Sequence, residues 1–249
     1  ASVGLGLSIL LLVCLNGVPF NPSTQSNSSF GDNFKTLISS PQAWLTALYS
    51  MLMYMPLIII GDFIGASYLE RLYQIPESLA ATIIASMFIG IGFGSPSFSV
   101  MSDYFKTRKI PMILGTTLCL LTYLVIFYTK SLPIQLMYVL FFLAGFFFGG
   151  KTLGYATIVE SLPSNISGLA VGFANTLVMG GGALGIPITG YLVDLRGALN
   201  PGTNHMSSYT FEDIKFALSI IPVCIGISLV MLIFIKETHP KSPRKKINT

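Results

Sequence analysis

Gly94-Ser-Pro-Ser-Phe-Ser-Val-Met-Ser-Asp103-Tyr-Phe-Lys106-Thr-Arg108-Lys109 joins the end of one long apolar run to the start of the next. The runs on either side, Leu79 to about Met101 and Ile110 to Tyr128, are each long enough to cross about 30 Å of hydrocarbon as a helix. One acid and three bases stand between them. A turn of that composition belongs at a membrane surface, and its excess of bases marks the cytoplasmic side.

Four further runs lie outward from this turn: Ala43 to about Tyr68, Ile134 to about Val159, Gly168 to about Val193, and Phe216 to Ile235. Barrel strands would show alternation over segments of about ten residues. These runs are continuous, so the predicted fold is an all-α integral membrane bundle with six complete transmembrane helices. Composition agrees: 52% of the 249 residues are hydrophobic and 10% charged, against about a quarter charged in soluble domains. The mean hydropathy is +0.72.

The ends of the chain read differently. Val3 to Leu15 is expected to be the end of a transmembrane helix whose start is missing (residues 1–15). Residues 16–42 are rich in Asn, Ser, Thr, Pro and Gly, and are expected to form a flexible cytoplasmic connector. The six-helix half-bundle would then occupy 43–235, with a basic cytoplasmic tail at 236–249. Nine bases fall on the side of the connector, the Asp103 turn and the tail; four fall on the other side and Lys151 within a span. The C-terminus is therefore expected to be cytoplasmic. The net charge of +4 is explained by this topology and implies no nucleic-acid partner.

No catalytic constellation is visible. His205 and His239 are isolated, and Cys14, Cys119 and Cys224 lie in apolar runs without metal-ligand spacing, as small buried hydrophobes do. An enzyme, a metal site and a cofactor are not expected.

Two charges interrupt the apolar runs. An ionised carboxylate in hydrocarbon costs at least about 2.5 to 3.5 kcal/mol even on a lenient scale, so Asp62 must face protein or water. Tyr54, Ile58, Asp62 and Gly65 share one helix face, which suits a proton or substrate site; the alternative is a residue near the helix end bonded to a neighbour. Lys151 shares a face with Phe148 and Tyr155. It suits a substrate carboxylate, a pair with an acid from beyond this chain, or snorkelling to the interface. Asn175, at similar depth on the fifth span, can orient Lys151 or touch solute.

Glycine is concentrated in the first, second, fourth and fifth spans. Gly90/Gly94, Gly145/Gly149, Gly168/Gly172 and Gly181/Gly185 have the four-residue spacing that lets helices approach closely. Gly180, Gly181 and Gly182 suit a flexing point or a tight crossing. The third and sixth spans, with no charge and little glycine, are expected to be outer buttresses.

The quoted turn, with Asp103 and the bases Lys106, Arg108 and Lys109, resembles the signature between the second and third, and eighth and ninth, helices of major facilitator superfamily transporters. Ser99 and Tyr104 stand where that signature has glycine and arginine. Six spans after a partial helix and connector resemble the family's C-terminal six-helix half. Gly61-Asp62-Phe63-Ile64-Gly65, Glu160 and the Gly172 to Gly182 stretch further resemble the bacterial branch of phagosomal amino-acid and nucleoside transporters.

The resemblance implies secondary transport of a small organic solute by alternating access, often proton-coupled, in a bacterial inner membrane. The partners it implies are solute, lipid and an N-terminal half of the same transporter. Asp103, Arg108 and Lys109 would form a conformational latch, and Asp62, Tyr54, Lys151 and Asn175 a cavity wall. A competing expectation is a receptor-like or assembly subunit built on the same half-fold, which would bind partners without moving solute.

Overall fold

A computed structural model of the protein describes residues 29–129, 132–198 and 210–239. The partial helix expected over residues 1–15 and the tail beyond His239 lie outside the described residues. Helix α1, Phe30–Ile38, forms inside the stretch expected to be a flexible connector. Asp32 sits in its first turn, where the helix dipole favours an acid. Leu37 is buried, while Phe30 and Phe34, one turn apart, stack at 6.3 Å on the open face.

The first span begins at α2, Pro41–Ile58. Pro41 occupies a first-turn position, where its missing N–H costs nothing, and Ser40 accepts from the Ala43 N–H at 3.3 Å. After Ile58 the backbone widens into a π turn, Ile59–Phe63, then resumes as α3, Gly65–Tyr73. The widening is visible in the 2.9 Å bond from the Ile64 N–H to the Ile59 carbonyl, five residues back. A side chain at Gly65 would collide with the Ile60 carbonyl, so glycine is required where the helix recovers its pitch.

The second span is α4, Glu77–Phe105, and the third is α5, Lys109–Tyr128. The fourth runs as α6, Ile134–Phe148, tightens to a 3₁₀ turn over Gly149–Thr152, and ends as α7, Leu153–Glu160. The fifth is α8, Ser167–Ala198, and the sixth comprises α9, Phe211–Leu218, and α10, Ile220–Phe234. Helix thus extends past the fifth apolar run to Ala198 and begins again at Phe211, before the sixth. Thr210 and Asp213 form a reciprocal capping box at the start of α9, and Arg196 on α8 reaches Asp213 at 3.7 Å. Those polar residues terminate helices instead of filling a loop.

In space the spans follow one another in the order second, fourth, third, sixth, first, fifth, each touching the next, and the first also touches the fourth. Exchanging spans one to three with spans four to six maps these neighbours onto one another. Because three crossings separate corresponding helices, the two triplets have opposite orientation: an inverted repeat. The π turn and the 3₁₀ turn both interrupt the leading helix of their triplet.

Two glycine pairs make the closest crossing. A methyl at Gly90 or Gly94 would overlap the carbonyl of Phe142 or Phe146, and one at Gly145 or Gly149 would overlap the backbone of Met87 or Gly94. Backbones of α4 and α6 therefore touch directly, which supplies dispersion contact where lipid gives no hydrophobic drive. Gly168 and Gly172, by contrast, face open space. The third span, expected as an outer buttress, buries 50% of its apolar window, whereas the second and fifth bury only 33%. Their open faces carry Phe93 and Val100 on α4, and Leu184 and Tyr191 on α8.

The crossing makes a paired prediction. Gly145→Leu should abolish folded protein or lower its thermal midpoint steeply, since backbone cannot yield. Gly172→Ala should be neutral or raise the midpoint by a few degrees, because it adds helix propensity without a clash. Size-exclusion profiles and thermal unfolding in detergent would check both; equal behaviour of the two variants would contradict the assigned contacts.

Candidate functional site

Lys151 lies on the 3₁₀ turn of the fourth span and is only 5% exposed. The tightened turn aims its side chain into the space between the first and fourth spans. There its Nζ lies 4.8 Å from the Tyr155 ring centroid, 5.0 Å from that of Tyr54 and 5.9 Å from that of Phe148. Each face attracts the cation through its quadrupole. Nζ also donates to the Tyr155 hydroxyl at 3.5 Å, and that hydroxyl donates to Asn175 Oδ1 at 3.4 Å. Among the described residues no carboxylate lies within ion-pair distance of Lys151.

Three of the four expected wall residues, Tyr54, Lys151 and Asn175, therefore meet in one cluster, linked by Tyr155. The spacing pointed to Tyr155 as a face partner of Lys151; its bridging role depends on the fifth span, which sequence periodicity does not place. Asp62 is elsewhere. It sits exposed on the π turn of the first span and forms no ion pair with Lys151. The expected face of Tyr54, Ile58, Asp62 and Gly65 assumed a regular helix, and the π turn rotates Asp62 out of that register.

Gly180, Gly181 and Gly182 lie in unbroken α-helix. A methyl at Gly181 would strike the Met51 side chain and one at Gly182 would press on Ile58, while Gly180 has open space. Gly181 and Gly182 thus lie at a close crossing against the first span; the helix interruptions fall at Ile59–Phe63 and Gly149–Thr152.

The charged turn after the second span forms a second cluster. Helix α4 ends with Lys106 in the left-handed region at φ 52°, so the chain doubles back. The Ser102 hydroxyl donates to the Thr107 carbonyl at 2.8 Å and the Thr107 N–H to the Ser102 carbonyl at 3.1 Å, closing the turn. Arg108 then reaches two acids: Asp103 Oδ1 at 2.8 Å and, through Nε and a terminal nitrogen, Glu160 at the end of α7, also at 2.8 Å. Hydrogen bonding to Glu160, which outweighs burial, pushes the Arg108 pKa up, with Asp103 adding to the effect.

Glu237, three residues past the end of α10, closes the cluster from the other side. Its carboxylate accepts from the backbone N–H of Arg108 at 2.7 Å and of Lys109 at 3.0 Å, and from the Thr107 hydroxyl. It thereby caps the start of α5 with negative charge. Lys109 Nζ donates to the Ile233 carbonyl at 2.8 Å, and the Thr238 hydroxyl donates to Glu160 at 2.9 Å. His239 Nε2 lies 3.6 Å from Asp103. Asp103, Arg108 and Lys109 are thus tied to the ends of the fourth and sixth spans within this chain. Glu237, which composition grouped with a basic tail, was not singled out by the sequence; its signal was being the first acid after the final span.

Burial raises the Glu237 pKa, but the hydrogen bonds from Arg108, Thr107, His239 and Lys109 outweigh it and hold the carboxyl down at about 2, against an ordinary 4.5. A depressed folded-state pKa contributes stability above pH 4.5 that is lost as pH falls toward 2. Glu237→Gln should therefore cost about 1 kcal/mol at pH 7, after screening of an exposed group. The gap to the unsubstituted protein should close between pH 4.5 and 2 in thermal unfolding; a gap independent of pH would contradict the capping role.

An inverted pair of three-helix repeats, with interrupted leading helices and a charged turn between the second and third spans, defines a class of membrane transport protein. The Major Facilitator Superfamily model matches residues 42–248. The chain belongs to that superfamily, a family of transporters and not of enzymes. It is a multi-pass membrane protein with a transporter's general function. A search of curated proteins found no significant match.

Proposed function

We propose that the protein carries out secondary active transport of a small organic solute, an amino acid or similar metabolite, by alternating access. The observation that supports this most is the Lys151 cluster. A buried cation, ringed by Tyr54, Phe148 and Tyr155 and joined to Asn175, sits on the interrupted leading helix of one repeat. A cation buried without an acid has no structural benefit that an apolar residue would not supply better, whereas a solute site needs such a group.

The wall works against a second six-helix bundle, the N-terminal half of the family arrangement, with the open faces of α4 and α8 as the meeting surfaces. Asp62, exposed on its π turn, is the proton-carrying acid. The Arg108 bridge, with Asp103, Lys109, Glu160 and Glu237, is the cytoplasmic latch: intact, it holds the ends of four spans together, and opening that side separates them. Gly180 to Gly182 let α8 slide on the first span as this happens. The membrane is a bacterial inner membrane with the C-terminus on its cytoplasmic side, a reading supported by the nine bases on that side against four on the other.

Uptake of a labelled solute panel by the full-length protein in proteoliposomes tests this. Accumulation driven by an imposed pH gradient is expected, with at least a tenfold loss in Lys151→Gln, the size of one charged hydrogen bond. Asp62→Asn should abolish gradient-driven accumulation while leaving solute exchange. No uptake of any solute favours the receptor or assembly alternative, and unchanged pH dependence in Asp62→Asn removes the proton role.

A further inference from the structure

The hydrogen-bond bookkeeping at Lys151 identifies the chemistry of its ligand, on the footing that this cluster is the solute site. An ammonium has three donors and no acceptor. Lys151 spends one, on Tyr155. Tyr155 donates in turn to Asn175 Oδ1, a bond that leaves the Asn175 amide N–H groups unused. Each link therefore hands a donor outward. The Lys151 ammonium, the Asn175 amide and the Tyr54 hydroxyl all remain to be satisfied, and among the described residues no acid is positioned to accept from them.

The electrostatics agree with the donor count. The aromatic faces at 4.8 to 5.9 Å return part of the ammonium's lost hydration, but leave a net positive charge on a lysine that is itself buried. A cationic ligand would add like charge, and a neutral one would leave that charge unmatched. A carboxylate supplies both missing items, one negative charge and about four acceptor sites. The rings of Tyr54 and Phe148 offer the rest of the ligand an apolar wall. The cluster is open on the side of the fifth span, where Asn175 is exposed.

We propose that Lys151, Tyr54 and Asn175 form a receptor for an organic monocarboxylate with an apolar body, and that the site rejects the corresponding amide. The carboxylate binds Lys151 directly, and Tyr155 positions the ammonium by holding it between the rings.

Thermal unfolding of the purified full-length protein in detergent tests the assignment with matched probes: the straight-chain monocarboxylates from acetate to octanoate, phenylacetate, and the primary amide of each. At least one carboxylate should raise the midpoint by about 2–4 °C at saturating concentration, and its amide should not. Lys151→Gln should remove the shift, a weakening of at least about tenfold, while Lys151→Arg retains part of it. Tyr54→Phe, which keeps the ring, should weaken the shift without eliminating it and guards against a folding defect in the lysine variants. Equal stabilisation by acid and amide, a shift that survives Lys151→Gln, or no shift from any carboxylate overturns the proposal. Its fate is separable from that of the transport reading. Lys151-dependent binding without flux leaves the receptor intact and removes transport, and flux of a neutral solute without carboxylate binding does the reverse.

Discussion

A charge carried into about 30 Å of hydrocarbon must be matched by protein, water or ligand, since the bilayer offers it nothing. The structure treats a cation at the membrane surface and one within a span in contrasting ways. At the end of α4, Arg108 is answered completely: Asp103 and Glu160 take its guanidinium, and Glu237 takes the backbone N–H groups around it. That arrangement ties the ends of the second, third, fourth and sixth spans into one unit. At Lys151 the protein supplies aromatic faces and a hydroxyl but no counter-charge. The first cluster is a tie closed within the chain; the second is the place where, as proposed, another molecule supplies the missing charge.

Both clusters depend on how closely the helices pack. Direct backbone contact between α4 and α6, made possible by Gly90, Gly94, Gly145 and Gly149, fixes the fourth span beside the second. With the fourth span so placed, its 3₁₀ turn presents Lys151 to Tyr54 of the first span and, through Tyr155, to Asn175 of the fifth. The equivalent interruption in the other triplet is the π turn that carries Asp62. Two repeats with the same neighbours thus place an acid and a base at related but separate positions.

Much of the fold was legible because hydropathy and length are local properties. The six spans, the crossing glycines at 90/94 and 145/149, and the turn bearing Asp103 and Arg108 all follow from short stretches of sequence. What escaped was non-local or depended on helix pitch. The π turn displaced Asp62 from the face it would occupy in a regular helix, and nothing in Ile59 to Phe63 specifies that widening alone. Glu237 resembled one acid in a basic tail because its partners, Arg108 and Lys109, lie well over a hundred positions earlier. The stretch before Gln42 looked like a connector by composition, yet Leu37 finds a buried position and α1 forms around it. The third span carries no charge in its apolar stretch, yet it packs closely and Thr116 meets the Tyr49 hydroxyl at 3.0 Å.

Under the proposed transport cycle, Tyr54, Lys151 and Asn175 border an aqueous path opened to one side of the membrane at a time. Side-specific labelling of Asn175→Cys measures this most directly, in the full-length protein with Cys14, Cys119 and Cys224 replaced. Membrane-impermeant thiol reagents should reach position 175 from either face, and conditions raising the rate from one face should lower it from the other. A position unreactive from both faces, as in lipid or sealed protein, or reactive from both with no reciprocal change, would contradict it.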